Sequence, residues 1–92
     1  MKYYDWSDKK NKFLIKERGV SFEEIVLAIE GGRLVDTIKN SARYANQMVF
    51  CIQIKNYIYA VPFIEEDKKL FLKTIIPNRK LTKKYLKINS KK

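Results

Sequence analysis

Met48-Val49-Phe50-Cys51-Ile52-Gln53-Ile54-Lys55-Asn56-Tyr57-Ile58-Tyr59-Ala60-Val61-Pro62-Phe63-Ile64 is the stretch that decides how this chain folds. Met48, Phe50, Ile52 and Ile54 alternate with Val49, Cys51 and Gln53, and a period of two belongs to a strand whose side chains point to opposite faces in turn. Lys55-Asn56 reads as a tight hairpin turn, a weaker form of the Asn-Gly signal, with Tyr57 to Ile64 as the return strand. Pro62 has no amide hydrogen to give, so its place in that run predicts a bulge or a locally unpaired position. Glu65-Glu66-Asp67-Lys68 makes the next turn and Lys69 to Ile76 the third member of the meander, ended by Pro77.

Before this stretch, Arg33 to Ile38 is a further strand, and Lys39 to Asn46 a polar loop. Tyr3 to Trp6 is a brief aromatic strand running into a helix cap at Ser7-Asp8. A helix over Lys9 to Arg18 has Phe13 and Leu14 as its main apolar contacts, and Gly19 stops it. Ser21-Phe22-Glu23-Glu24 has the form of a capping box, in which Ser21 serves an orphan amide and Glu24 reaches back. Phe22, Ile25, Val26 and Ile29 recur at helical spacing until Gly31-Gly32, so this second helix packs on a sheet. Past Pro77, Leu81, Tyr85 and Ile88 give a short helix one apolar edge, with Thr82 as the cap if it begins later. The expected fold is α+β, a single domain over residues 1–92. It comprises a short N-terminal strand, two helices, an antiparallel sheet of about four strands and a short C-terminal helix, the helices lying on one face.

Charge divides the chain unequally. Residues 1–46 hold 9 basic and 7 acidic groups and residues 47–92 hold 11 and 3, so the second half carries nearly all of the net +10. After Asp67 there is no carboxylate side chain, while Lys68, Lys69, Lys73, Arg79, Lys80, Lys83, Lys84, Lys87, Lys91 and Lys92 follow. A folded strand and helix with so concentrated a field call for a polyanion. The 46% apolar fraction excludes intrinsic disorder. No stretch approaches the ~18 apolar residues that span a bilayer, and the N-terminus lacks a signal-peptide core. A cytoplasmic protein is expected. Cys51, alone in an apolar run, reads as a small core hydrophobe.

Two segments carry a resemblance. The first is Asp5-Trp6, then Lys10-Asn11, then Lys16-Glu17-Arg18-Gly19-Val20-Ser21-Phe22-Glu23-Glu24. The second is Lys73-Thr74-Ile75-Ile76-Pro77-Asn78-Arg79-Lys80, followed by Lys83, Lys84 and Tyr85. In this order they resemble the BrnT-type toxins of bacterial type II toxin–antitoxin pairs, relatives of RelE. Arg18 stands where that family commonly has His. The resemblance implies a RelE-like fold and an endoribonuclease that cuts mRNA, on the ribosome or free, and arrests translation. It also implies a cognate small DNA-binding antitoxin as partner. Operator DNA would be reached only through that complex.

The chain has no His and one Cys, which excludes a His-pair ribonuclease, a His-ligated metal and a zinc cluster; no cofactor is expected. Cleavage by internal attack must then use basic side chains on a preorganised surface. Arg79 can make paired hydrogen bonds to a phosphate as negative charge builds. Lys73 lies among other cations, an arrangement suited to proton exchange. Tyr85 can hydrogen-bond the scissile phosphate or stack on a base. Lys73, Arg79 and Tyr85 are the catalytic candidates. Lys16, Arg18, Lys80, Lys83, Lys84 and Lys87 are the RNA-binding candidates. Each has a plainer alternative: Lys73 as the solvent side of an amphipathic strand, Arg79 as a neutralising charge at a turn, Tyr85 as core. Without catalysis, the same charges describe an RNA- or ribosome-binding module. Asp36 has no carboxylate partner in the sequence and is given no role.

Overall fold

Three strands with period-two burial cannot cover both faces of their own sheet, and the helices supply the cover. The computed structural model describes residues 2–39 and 47–86. The elements in chain order are β1 (Tyr3–Asp5), α1 (Asp8–Arg18), α2 (Phe22–Glu30), β2 (Leu34–Lys39), β3 (Gln47–Ile54), β4 (Tyr57–Glu65), β5 (Lys69–Leu72), β6 (Ile76–Pro77) and α3 (Arg79–Leu86). The architecture is α+β, three helices on a mixed sheet ordered β1-β5-β4-β3-β2, with β6 also paired to β4. Among the described residues the sheet has six strands rather than about four. The extra pairs are β1, which runs parallel to β5, and the short β6. No described helix is long and apolar enough to cross a membrane.

Local signals act where the sequence puts them. Ser7 caps α1 by accepting from the Lys10 amide, and Gly19 closes it at φ 68°, a left-handed conformation that costs an L side chain ~1–2 kcal/mol. The Ser21–Glu24 capping box is present in both directions. The β3–β4 hairpin turns through Lys55-Asn56, with Lys55 at φ 58°. Asn11 does more than fill a helix position: it is buried, accepts from the Phe22 amide at 2.8 Å and donates to Glu23 at 2.8 Å. It therefore ties the start of α2 to α1. Phe13, expected to pack, is 51% exposed and Leu14 fully buried, because a single helical stripe meets the core and Leu14 and Asn11 occupy it.

The core lies between α1, α2 and one sheet face. Leu14, Phe22, Ile25, Ile52, Val61, Leu72 and Ile75 are each at most 1% exposed, and each such side chain stabilises the fold by ~1.5–3 kcal/mol. Trp6 stacks on Phe22 and Phe50 on Phe63. The opposite face carries Val49, Cys51, Ile58 and Ala60, all buried but outside that cluster. There α3 runs from β6, beside the central strand β4, toward β2, which corrects the expectation of helices on one face. Its anchor is Thr82, buried in mid-helix, whose hydroxyl accepts from the Ile58 amide at 2.9 Å. Thr82 is therefore no cap; Asn78 is, its side chain accepting from the Leu81 amide at 2.9 Å.

Pro62 explains a break between β5 and β6. Leu72 pairs with Phe63 and Ile76 with Ala60, so Lys73–Ile75 carry one residue more than the strand they face. This is a β-bulge. The Lys73 amide donates to the Pro62 carbonyl at 2.8 Å, which places the proline's missing N–H on that same edge, where the ladder is interrupted. The bulge expected at Pro62 lies in its partner strand. The loop expected over Lys39 to Asn46 falls largely outside the described residues, Lys39 itself being the last residue of β2.

Candidate nucleic-acid interface

Bulge, β6 and α3 together bring the candidate cations onto one continuous segment. Lys73 is exposed at the bulge, Arg79 opens α3, and Lys80, Lys83 and Lys84 follow along it, all exposed. The Lys73 amide bonds to the Pro62 carbonyl and the Asn78 amide to the Ile58 carbonyl. Those acceptors are four residues apart on β4, so the Lys73 and Asn78 backbones lie about 13 Å apart. Arg18 comes to the same segment from the other layer, its guanidinium donating to the Ile75 carbonyl. Lys16 is exposed in the same last turn of α1. Lys87 lies outside the described residues.

Counter-charges are few here. Ion pairs among the described residues join Lys2 to Glu65 and Lys69 to Asp5 and Glu66. Lys73, Arg79, Lys80, Lys83 and Lys84 take part in none of them. Lys84 is the most compensated of the five, since its charge, after the Tyr85 and Thr37 hydrogen bonds, helps to lower the nearby Asp36, but the two form no ion pair. Strand and helix are thus held by backbone and hydroxyl bonds, and the cationic heads are left to solvent or a ligand.

Tyr85 behaves differently. Its hydroxyl donates to Asp36 at 2.5 Å, across the width of α3's side of the sheet. That bond, with burial and the carboxylate's charge, pushes the phenol up to about 12. In return the Tyr85 hydroxyl, and then the Thr37 amide, hold Asp36 below the usual carboxylate range. Tyr85 stands six residues beyond Arg79, about 9 Å along a helix axis, and it points toward β2 rather than the bulge. The geometry brings Lys73, Arg18 and Arg79 around one strand edge and sets Tyr85 apart as a latch between α3 and β2.

Beneath α3 the Cys51 thiol is fully buried and pushed up, first by desolvation and then by Asp36, so it is an inert core group. Among the described residues no three His, Cys, Asp or Glu side chains gather as a metal site would need. Beside α3, Ile38, Val49, Ala60, Pro62 and Ile76 floor an open trough of about 420 Å³ walled by Asn78, Lys80 and Leu81.

Sequence reasoning missed Asp36 and Asn78. The signal for Asn78 was available: Asn three residues before Leu81, just past a proline, is a cap pattern. Asp36 and Tyr85 are 49 positions apart, and no local pattern joins them. No family model, curated protein or solved structure matches this chain.

Proposed function

We propose that this protein is the toxin of a type II toxin–antitoxin pair. It is a metal-independent endoribonuclease that cuts mRNA in the cytoplasm, arrests translation and is neutralised by a cognate antitoxin. The observation carrying the RNA half of this reading is the run of exposed cations from Lys73 to Lys84 on one strand–helix segment, none of them in an ion pair among the described residues. The two motifs quoted above support the toxin half.

In this reading the 2′-oxygen of the RNA attacks phosphorus and the bond to the 5′-oxygen breaks, leaving a cyclic phosphate and a 5′-hydroxyl. Arg79, at the free first turn of α3, forks onto the phosphate oxygens as charge accumulates. Lys73, as its ammonium, gives a proton to the leaving 5′-oxygen and regains one through solvent as the 2′-hydroxyl loses its own. Arg18, Lys80, Lys83 and Lys84 hold the flanking backbone. Tyr85 can turn its hydroxyl to the phosphate only by leaving Asp36; its observed partner favours a role in positioning α3. An anionic segment of the antitoxin would compete for the same cations.

The Tyr85–Asp36 bond also favours the second reading, an RNA- or ribosome-binding module without catalysis. Induced expression in a bacterium, with growth followed and transcript ends mapped, separates the two. The toxin reading expects arrest and new 5′ ends, both lost in folded Arg79→Ala and Lys73→Ala. Binding without arrest or new ends would leave the module. Variants that arrest and cleave like the wild type would remove Lys73 and Arg79 from the reaction.

A further inference from the structure

The sheet face that α3 only partly covers extends beyond the cations to its other edge, and there it is aromatic. Tyr4 packs against the core, so its strand neighbours Tyr3 and Asp5 point to the α3 side. Leu70 and Leu72 likewise face the core, which puts Phe71 and Lys69 on the α3 side with them. In register Tyr3 pairs with Lys69 and Asp5 with Phe71, so Tyr3 and Phe71 are diagonal neighbours on one face. Tyr3 is 58% exposed and Phe71 half-buried. Lys69 and Lys73 flank the Phe71 ring with their ammonium groups at 5.6 and 6.0 Å from its centroid. Those distances are at the outer limit of a cation–π contact, so the ring itself holds neither head tightly. Lys69 is committed to Asp5; Lys73 is in none of the ion pairs among the described residues.

An exposed aromatic alone means little. Two on one face, next to the exposed Lys73 ammonium and continuous through Pro62 with the trough beside Lys80, combine the two elements of single-strand recognition. These are π-surfaces for bases and cations for the backbone between them. We infer that this face receives unpaired bases of RNA. Phe71 and Tyr3 are the stacking surfaces, Lys73 takes the adjoining phosphate, and the trough beside α3 accepts the next base. A duplex hides its base faces inside the stack and cannot use this surface. An acidic peptide would use the cations without needing the rings. The inference rests on the RNA-binding part of the proposed function and is independent of cleavage.

The test is the affinity of wild type, Phe71→Leu and Tyr3→Leu for a labelled unstructured RNA oligonucleotide, for the same strand annealed to its complement, and for a poly-glutamate peptide. Wild type should bind the single strand at least about tenfold more tightly than the duplex. Each variant should lose roughly 5- to 150-fold on the single strand. The salt slope should not change, because no phosphate contact is removed. Tyr3 is exposed enough that its variant keeps the fold, checked by thermal melting, should Phe71→Leu not. Variants that bind a well-bound single strand like the wild type overturn this inference and leave RNA binding by the cations intact. So does a loss seen for poly-glutamate and not for RNA, which would make the face a peptide site. A wild type that binds neither RNA overturns the inference and the RNA-binding reading together.

Discussion

Raising the salt concentration is the perturbation whose effect follows most directly from the charge arrangement. Lys73, Arg79, Lys80, Lys83 and Lys84 are exposed and take part in none of the ion pairs among the described residues. If each neutralises one phosphate of a single strand, log affinity should fall against log salt with a slope of roughly −3.5. Between about 50 and about 200 mM salt the dissociation constant would then rise roughly 130-fold. Removing two of the charges in Lys80→Ala/Lys83→Ala should flatten the slope to roughly −2.1 and the rise to roughly 20-fold. Fluorescence anisotropy of a labelled oligonucleotide, titrated at four or more salt concentrations, measures both slopes. A wild-type slope near −1, or a double variant with the wild-type slope, would show that these cations do not hold the backbone.

Asn11→Ala should destabilise the fold by ~1–3 kcal/mol, since the buried Phe22 amide loses its acceptor. In a chain of this size that is a fall in melting temperature of about 5–20 °C by circular dichroism. An unchanged midpoint would mean that Asn11's place in the first motif has some other cause. Tyr85 should ionise late in an ultraviolet titration, near 12, so the Tyr85→Phe curve should lack that lagging phase and keep only the delay that burial gives Tyr4. Because folding holds the Tyr85 proton, the bond's contribution is complete below about pH 10 and is lost as pH rises through about 12. On the acid side Asp36, lowered by the same bond, contributes above the ordinary carboxylate value and loses that contribution as pH falls through its lower folded value. The stability difference between wild type and Tyr85→Phe should therefore shrink at both ends; a difference constant with pH would contradict the latch.

Legibility in the sequence followed distance along the chain. The capping box at Ser21–Glu24, the closing Gly19 and the hairpin at Lys55-Asn56 are each set by a few adjacent residues, and all three stand as read. Pro62 signalled a broken ladder, but a missing donor does not say which strand carries the extra residue. The parallel pairing of Tyr3–Asp5 with Lys69–Phe71 joins opposite ends of the domain and leaves no local pattern. Phe13 and Leu14 are adjacent and equally apolar, so only the angle at which α1 meets the sheet decides which is buried. The side taken by α3 was hidden for a similar reason: its apolar edge fits either face, and the buried row Val49, Cys51 and Ala60 recruits it to the open one. At the site, a run of like charges is visible in one dimension, whereas Asp36 meeting Tyr85 exists only in three.

Whether RNA lies along the segment from Lys73 to Lys84 is read residue by residue by amine footprinting. Lysines are acetylated with and without a saturating single-stranded RNA, and the modified positions are quantified by mass spectrometry. Lys73, Lys80, Lys83 and Lys84 should lose reactivity on binding, while Lys9, Lys12 and Lys55, exposed on α1 and the hairpin turn, should keep theirs. Protection spread evenly over all lysines, or concentrated on α1, would mean that RNA does not follow this segment.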